Sequence, residues 1–215
     1  MNIITSYTHI KHNQVSVNGS VVFRVDKEKT LIEFLGEAYK SLGISYPKFH
    51  KMDEQCKLGM LATEFAIQQS DFLKTNALDK IAIVLSNAAS SIETDRHHQS
   101  SIIHKENYFP SPAVFVYTLP NIVIGELAIK YKITGENAFF VSEKMDADLV
   151  VNYSEMLLKT NTDAIISGWV EVDGDSFEAF IFLIEKEKNI NKNTNFKPLN
   201  QTNINQLYNQ TPWTH

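Results

Sequence analysis

Apolar and polar positions divide this chain into short strand-like runs and longer helical ones. Residues 2–10 alternate weakly and read as a first strand. Residues 12–19 are polar and end in a turn signal at Asn18 and Gly19, after which residues 21–25 (VVFRV) form the hairpin partner. Leu31, Phe34, Leu35, Ala38 and Leu42 recur at helical spacing, with Gly43 as the stop. A second amphipathic run (Leu58, Leu61, Ala62, Phe65, Ala66 and Ile67) follows Asp53, which is placed to cap it. The run 80–85, Lys80 followed by five apolar residues, carries the mark of a strand buried on both faces. It opens into small polar residues, Ser86 to Ser91, at the end of a strand where α/β sheets place ligand crevices. That loop has no glycine and no Gly-Lys-Ser/Thr ending, so it is a strand-to-helix connection and no phosphate loop.

The most informative stretch is 109–171. A segment punctuated by Pro110, Pro112 and Pro120 leads into a strongly apolar helix pattern, with Ile122, Val123, Leu127, Ala128, Ile129 and Tyr131, and with Gly125 allowing a close neighbour. A turn at 134–137 precedes a short buried strand at 138–142. A helix over 145–159 and a strand over 163–168 follow. Helix, strand, helix and strand with short connections predict a parallel sheet covered by helices. A turn at 172–176 then gives a tight hairpin to a strand at 177–184. The division that results is an α/β domain over 1–187 and a polar tail over 188–215. The tail is Asn- and Gln-rich and reads as an extended arm, with Leu207, Tyr208 and Trp213 as docking anchors.

Composition narrows the classes. At 215 residues, 43% of them hydrophobic, the chain can bury one substantial core. A net charge of -5 supplies no electrostatic footprint for nucleic acid. The single cysteine, Cys56, excludes an internal disulfide framework and fits a reducing cytoplasm. It falls on the second helix, in core packing. The N-terminus has no basic lead and apolar core of a signal peptide. Residues 113–129 approach the length of a membrane span but carry Pro120, Asn121 and Glu126, so burial between protein layers accounts for them. His97 and His98 are adjacent and point about 100° apart on a helix, which does not suit one metal ion; Glu93, Asp95 and Arg96 read as local charge pairing on a solvated helix.

The run from Asn121 through Gly125 and Tyr131 to Gly135 resembles the β-ketoacyl-ACP synthases, the condensing enzymes of the thiolase-like superfamily. Lys51, Met52 and Asp53 ahead of the second helix, and Gly168, Trp169, Val170 and Glu171 after the later strand, agree in the same register. The likeness spans about residues 46–185. It implies one half of a thiolase-like fold: α/β, with a mixed, mostly parallel sheet and helices on both faces. In that family the strand after the turn delivers a nucleophilic cysteine at the start of the next helix, and the whole enzyme packs two such halves face to face, the second carrying two histidines. Here the same register places Lys144 at the nucleophile position, with Glu143 beside it, and no second copy of the half follows. Lys132 stands where the pattern has Gly, and Glu136 where it has Pro.

Acyl transfer needs a thiolate. The resemblance therefore implies a subunit that is not catalytic alone, of the chain-length-factor type. Such a subunit pairs with a full-length ketosynthase, as a heterodimer, or with itself, and shapes an acyl tunnel in type II fatty acid or polyketide synthesis, polyene pigments included. The implied contacts are the strand Ala138, Phe139, Phe140 and Val141 at the interface, and Phe115, Tyr117 and Met145 along the tunnel. Acyl carrier protein is an indirect partner; no cofactor and no metal are implied. Two other readings stay open at this stage. One is a weak thioester-acting enzyme, such as a malonyl-ACP decarboxylase using Lys144 or Glu143. The other is a carrier-protein-binding module using Lys48, Lys51 and Lys57.

Overall fold

The computed structural model describes residues 1–187 and 196–210. β1 (Asn2–Lys11), β2 (Gln14–Val17) and β3 (Ser20–Arg24) form an antiparallel meander. Its second turn is Asn18-Gly19, both at positive φ, as a tight hairpin requires. The first is His12-Asn13, also both at positive φ. It turns the stretch expected to be a polar connection into a further strand, and the Asn13 side chain secures the bend by donating to the carbonyls of Asp26 and Lys29, each at 2.9 Å.

α1 (Leu31–Ser41) starts with a full capping box. Thr30 accepts from the Glu33 amide, and the Glu33 carboxylate accepts from the Thr30 amide. α2 (Glu54–Gln68) is capped by Asp53, as its sequence predicts, and the short α3 (Phe72–Thr75) leads towards β4 (Ile81–Asn87). Then come α4 (Ile92–Ile102), α5 (Pro112–Val116), α6 (Ile122–Tyr131) and β5 (Asn137–Val141). α6 ends on Lys132 at φ 58, so the left-handed turn usually assigned to glycine is kept here by a lysine. α7 (Ala147–Leu158), β6 (Ala164–Asp173), β7 (Ser176–Lys186), β8 (Lys197–Pro198) and α8 (Gln201–Asn209) complete the described chain.

The strands form one mixed sheet in the order β3-β2-β1-β7-β6-β4-β5, with β8 added beside β1. Parallel pairing is confined to β4 with β5 and β4 with β6; every other pairing among the described strands is antiparallel. The expectation of a mostly parallel sheet therefore holds only for the β6-β4-β5 portion. The meander and the β6–β7 hairpin, closed by Gly174 at φ 58, make the rest antiparallel.

Helices cover both faces, and alternation along the strands sorts the core accordingly. Ile81, Ile83, Leu85, Ile166, Ile181 and Leu183 face α1, α2 and α6. Ala82, Val84, Ile165, Phe180, Phe182 and Ile184 face α7 and α8. Two glycines permit close approach. A Cβ on Gly168 would lie 2.0 Å from the carbonyl oxygen of Phe180, and one on Gly135 2.3 Å from that of Ile81.

The tail differs from its sequence reading. Its 197–209 portion is a strand and a helix docked on the sheet, because Leu199, Ile204 and Leu207 form a buried stripe amid the polar residues. Leu207 and Tyr208 do serve as anchors; Trp213 lies outside the described residues.

Candidate functional site

β5 and α7 create the junction at which the sequence places Lys144. β5 runs parallel to β4 in the register Ile83↔Asn137 to Asn87↔Val141, and the Ser142 amide prolongs the ladder to the carbonyl of Asn87 at 2.9 Å. The chain then turns through Ser142, whose hydroxyl donates to the Lys144 carbonyl at 3.0 Å, and enters α7 at its cap, Asp146. Lys144 and Glu143 are exposed between strand and helix. The Asp146 carboxylate accepts from the amides of Asp148 and Leu149, each at 3.0 Å. The backbone donors that could have formed an oxyanion site at this helix start are thus engaged by the chain's own carboxylate.

The single cysteine, Cys56, lies in α2 and not at this junction. It is fully buried, and burial, followed by the proximity of Asp53, pushes its thiol well above the usual range. The neighbouring Asp53 caps α2 through the Cys56 amide at 2.9 Å and accepts from the Thr94 hydroxyl at 2.9 Å, fastening α2 to α4; burial raises its carboxyl.

The loop after β4 is fixed from β6. Glu171 accepts from the amides of Ala88 at 2.6 Å and Ala89 at 3.0 Å, and burial raises its carboxyl despite those two donors. Asn87 and Ser90 exchange hydrogen bonds across the same bend, with Ser90 at φ 56. The Ser91 hydroxyl donates to the Thr118 carbonyl at 2.7 Å, which ties the loop to the end of α5. Arg96 pairs with Glu93, the local charge pairing expected for α4, and also with Asp173 at the end of β6. No group of three or more metal-ligating side chains gathers among the described residues.

The residues expected along a tunnel are not brought together. Phe115 is 58% exposed on α5, with the His98 ring 5.5 Å away. Tyr117 packs against the α2 side of the core and donates to Glu126 at 3.0 Å; burial and that carboxylate raise its phenol. Met145 is buried against the opposite face of the sheet, with Val84, Val150 and Trp169. Tyr117 is thus half-buried against one face of the sheet and Met145 buried against the other, and of the three Phe115 is the exposed ring.

An ion pair to a buried carboxylate lies outside the sequence reading. Glu126 is 3% exposed in α6 and receives the Lys48 ammonium at 2.6 Å. This uses one of the three lysines considered for carrier-protein docking, and leaves the exposed Lys51 and half-exposed Lys57 without it. Glu126 had signalled itself only as a charge interrupting an apolar helix.

The strand expected at an interface, β5, is the site's clearest feature. β5 ends the sheet, so one of its backbone edges has no partner strand among the described residues. Ala138, Phe139 and Phe140 are half-buried, and Val141 is 58% exposed. The buried strand expected here is an edge, because only β4 flanks it.

No protein-family model matches the sequence, and no curated protein matches it. Solved structures do. A chain of a type II polyketide synthase complex, an acyl-carrier protein with its ketosynthase, matches at a TM-score of 0.61 and 13% identity, over 87% of this chain and 62% of that one. The ishigamide ketosynthase/chain length factor matches at 0.59 and 15%, again over 87% and 62%. A ketosynthase complex with its chain length factor from Xenorhabdus doucetiae matches at 0.56 and 12%, over 86% and 79%. This chain thus spans less than two thirds of the first two. No helix among the described residues is long and apolar enough to cross a membrane. With its parallel β6-β4-β5 unit and these structural neighbours, the chain has the fold of the ketosynthases and chain length factors.

Proposed function

We propose that this protein is a non-catalytic, chain-length-factor-type subunit. It pairs through β5 with a cysteine-bearing ketosynthase and helps bound the acyl chain in type II polyketide or fatty acid synthesis, polyene pigments among the products. The observation that carries this reading is β5 itself: an apolar, half-exposed edge strand that adjoins a junction bearing a lysine in place of a nucleophile. Unprotected edge strands invite pairing with another chain. The complexes of ketosynthase with chain length factor among the structural neighbours favour a partner of that kind. In this arrangement Phe115 is the outward ring available to wall the acyl chain, Tyr117 and Met145 support the scaffold, and acyl carrier protein meets the assembly through the ketosynthase.

The test is co-expression of this chain with a cysteine-bearing type II ketosynthase from the same organism, followed by size-exclusion chromatography. A one-to-one complex is the expected result. Elution of this chain as a monomer, apart from the ketosynthase, would reject the pairing.

A further inference from the structure

The C-terminal segment does something its polar composition conceals. On the face opposite α2, α7 lies over β4 and β6. Beside it, on the same face, β1 and β7 present Ile4, Phe180, Phe182 and Ile184, none more than 4% exposed. α8 covers them. Leu199, Ile204 and Leu207 enter that cluster, and the Tyr208 ring lies 5.5 Å from the rings of both His9 on β1 and Phe180 on β7.

The attachment has direction as well as apolar area. β8 pairs with β1 through Ile3↔Pro198 and Ile4↔Lys197, and the Leu199 amide donates to the Asn2 carbonyl at 2.9 Å. Asn200 caps α8 by accepting from the Asn203 amide at 2.8 Å. At the far end of α8 the Tyr208 hydroxyl donates to Glu178 at 2.9 Å, and the Tyr7 hydroxyl donates to Gln210 at 2.9 Å. Both ends of the segment are therefore held by hydrogen bonds to β1 and β7, and its middle by buried side chains.

We propose that β8 and α8 form a built-in cover, permanently closed over the β1–β7 face. Any second α/β layer approaching that face would have to displace α8, so the face is not a docking surface. A partner that pairs through β5, as proposed above, would reach the sheet without crossing this face; the closure itself does not rest on that pairing.

Native-state hydrogen exchange on the full chain tests the closure. The amides of Ile204 and Leu207 are expected to exchange within about tenfold of the slowest β7 amides, through opening of the whole fold. Exchange of α8 through a separate, much faster opening would overturn the proposal. Adding the ketosynthase should leave α8 protection unchanged, and loss of protection on its addition would also overturn it. A Leu207→Asp substitution should lower Tm by about 5 °C or more and create binding of a hydrophobic dye. A folded variant with unchanged Tm and no dye binding would refute the cover. Should that variant fail to fold, the exchange measurement decides alone. Failure of the β5 pairing would show in chromatography without altering α8 exchange, so the two readings can be told apart.

Discussion

β5 and β6 flank the same strand, both in parallel with β4, and they differ in what the rest of the chain does for them. β6 has β7 on its other side, and its first seven residues are buried. β5 has β4 alone; its end residues are exposed and its middle is half-buried. Both sequences are apolar. In β6 the apolar character is accounted for within the chain, since Ile165 and Trp169 meet the α7 side and Ile166 and Val170 the α2 side. In β5 it is not, since Val141 presents an apolar side chain to solvent beside an unpaired backbone edge. An unpaired, partly apolar edge of this kind is where the proposed partner strand would add.

The largest effect belongs to the paired strand. Gly168→Ala puts a methyl group 2.0 Å from the Phe180 carbonyl oxygen, at a φ of 155 that side-chain-bearing residues rarely adopt. We expect a loss of about 4 kcal/mol or more, read as collapse of the denaturant midpoint or absence of folded protein. The edge strand should behave in the opposite way. Val141→Lys alters an exposed position, so the isolated chain should keep its Tm within about 2 °C. A lysine on an edge blocks strand addition, and binding to the ketosynthase should weaken at least ~100-fold by titration. The control lies on the other edge of the sheet, where Val22 is half-exposed on β3. Val22→Lys should leave that binding unchanged, and equal losses in the two variants would remove β5 from its assigned role.

How much of this difference was legible beforehand varies with the physics behind each element. Asp53 as a cap and the stop at Gly43 are local effects, readable in a few consecutive residues. Within the run at 80–85 the residues from Ile81 on are apolar because both faces are covered, and the strand reads correctly for that reason. β5 reads the same way from sequence, since an apolar run does not reveal whether its own chain or another covers it. β2 went unread because its turn, His12-Asn13, lacks the glycine that usually announces positive φ, and because Gln14 and Ser16 are polar yet buried. α8 was hidden by its Asn and Gln content; what folds it is a stripe of a few apolar side chains. The Lys48–Glu126 pair joins segments far apart in sequence, and no local pattern encodes such a contact.

A smaller, pH-dependent effect separates the covered face from the open edge. Burial acts to raise the Glu178 carboxyl, but hydrogen bonds from His9, Tyr208 and Lys11 outweigh it and hold the group at about 2. A carboxyl lowered on folding adds stability above its unfolded value, and that contribution fades as pH falls from about 4.5 towards 2. Tm should therefore drop across that window in the wild type. In Glu178→Gln the drop should be shallower, because the group that titrates is gone. Pairing through β5 has no part in this network, so the two variants at Glu178 and Val141 should have additive effects on Tm.

The smallest effect is expected where the family likeness would look first. Lys144 is exposed, no ion pair to it is formed within the described residues, and the amides of Asp148 and Leu149 nearby are engaged by Asp146. Lys144→Ala should leave Tm within about 2 °C and binding of the ketosynthase unchanged. The isolated wild type and the variant should both release CO2 from malonyl-ACP at the rate of a protein-free blank. Release by the wild type that Lys144→Ala abolishes would make the lysine a catalytic residue, and the junction beside β5 an active site in its own right. Equal, blank-level rates, alongside the loss of binding in Val141→Lys, would place this region's contribution in the edge of the strand and not in the side chain that follows it.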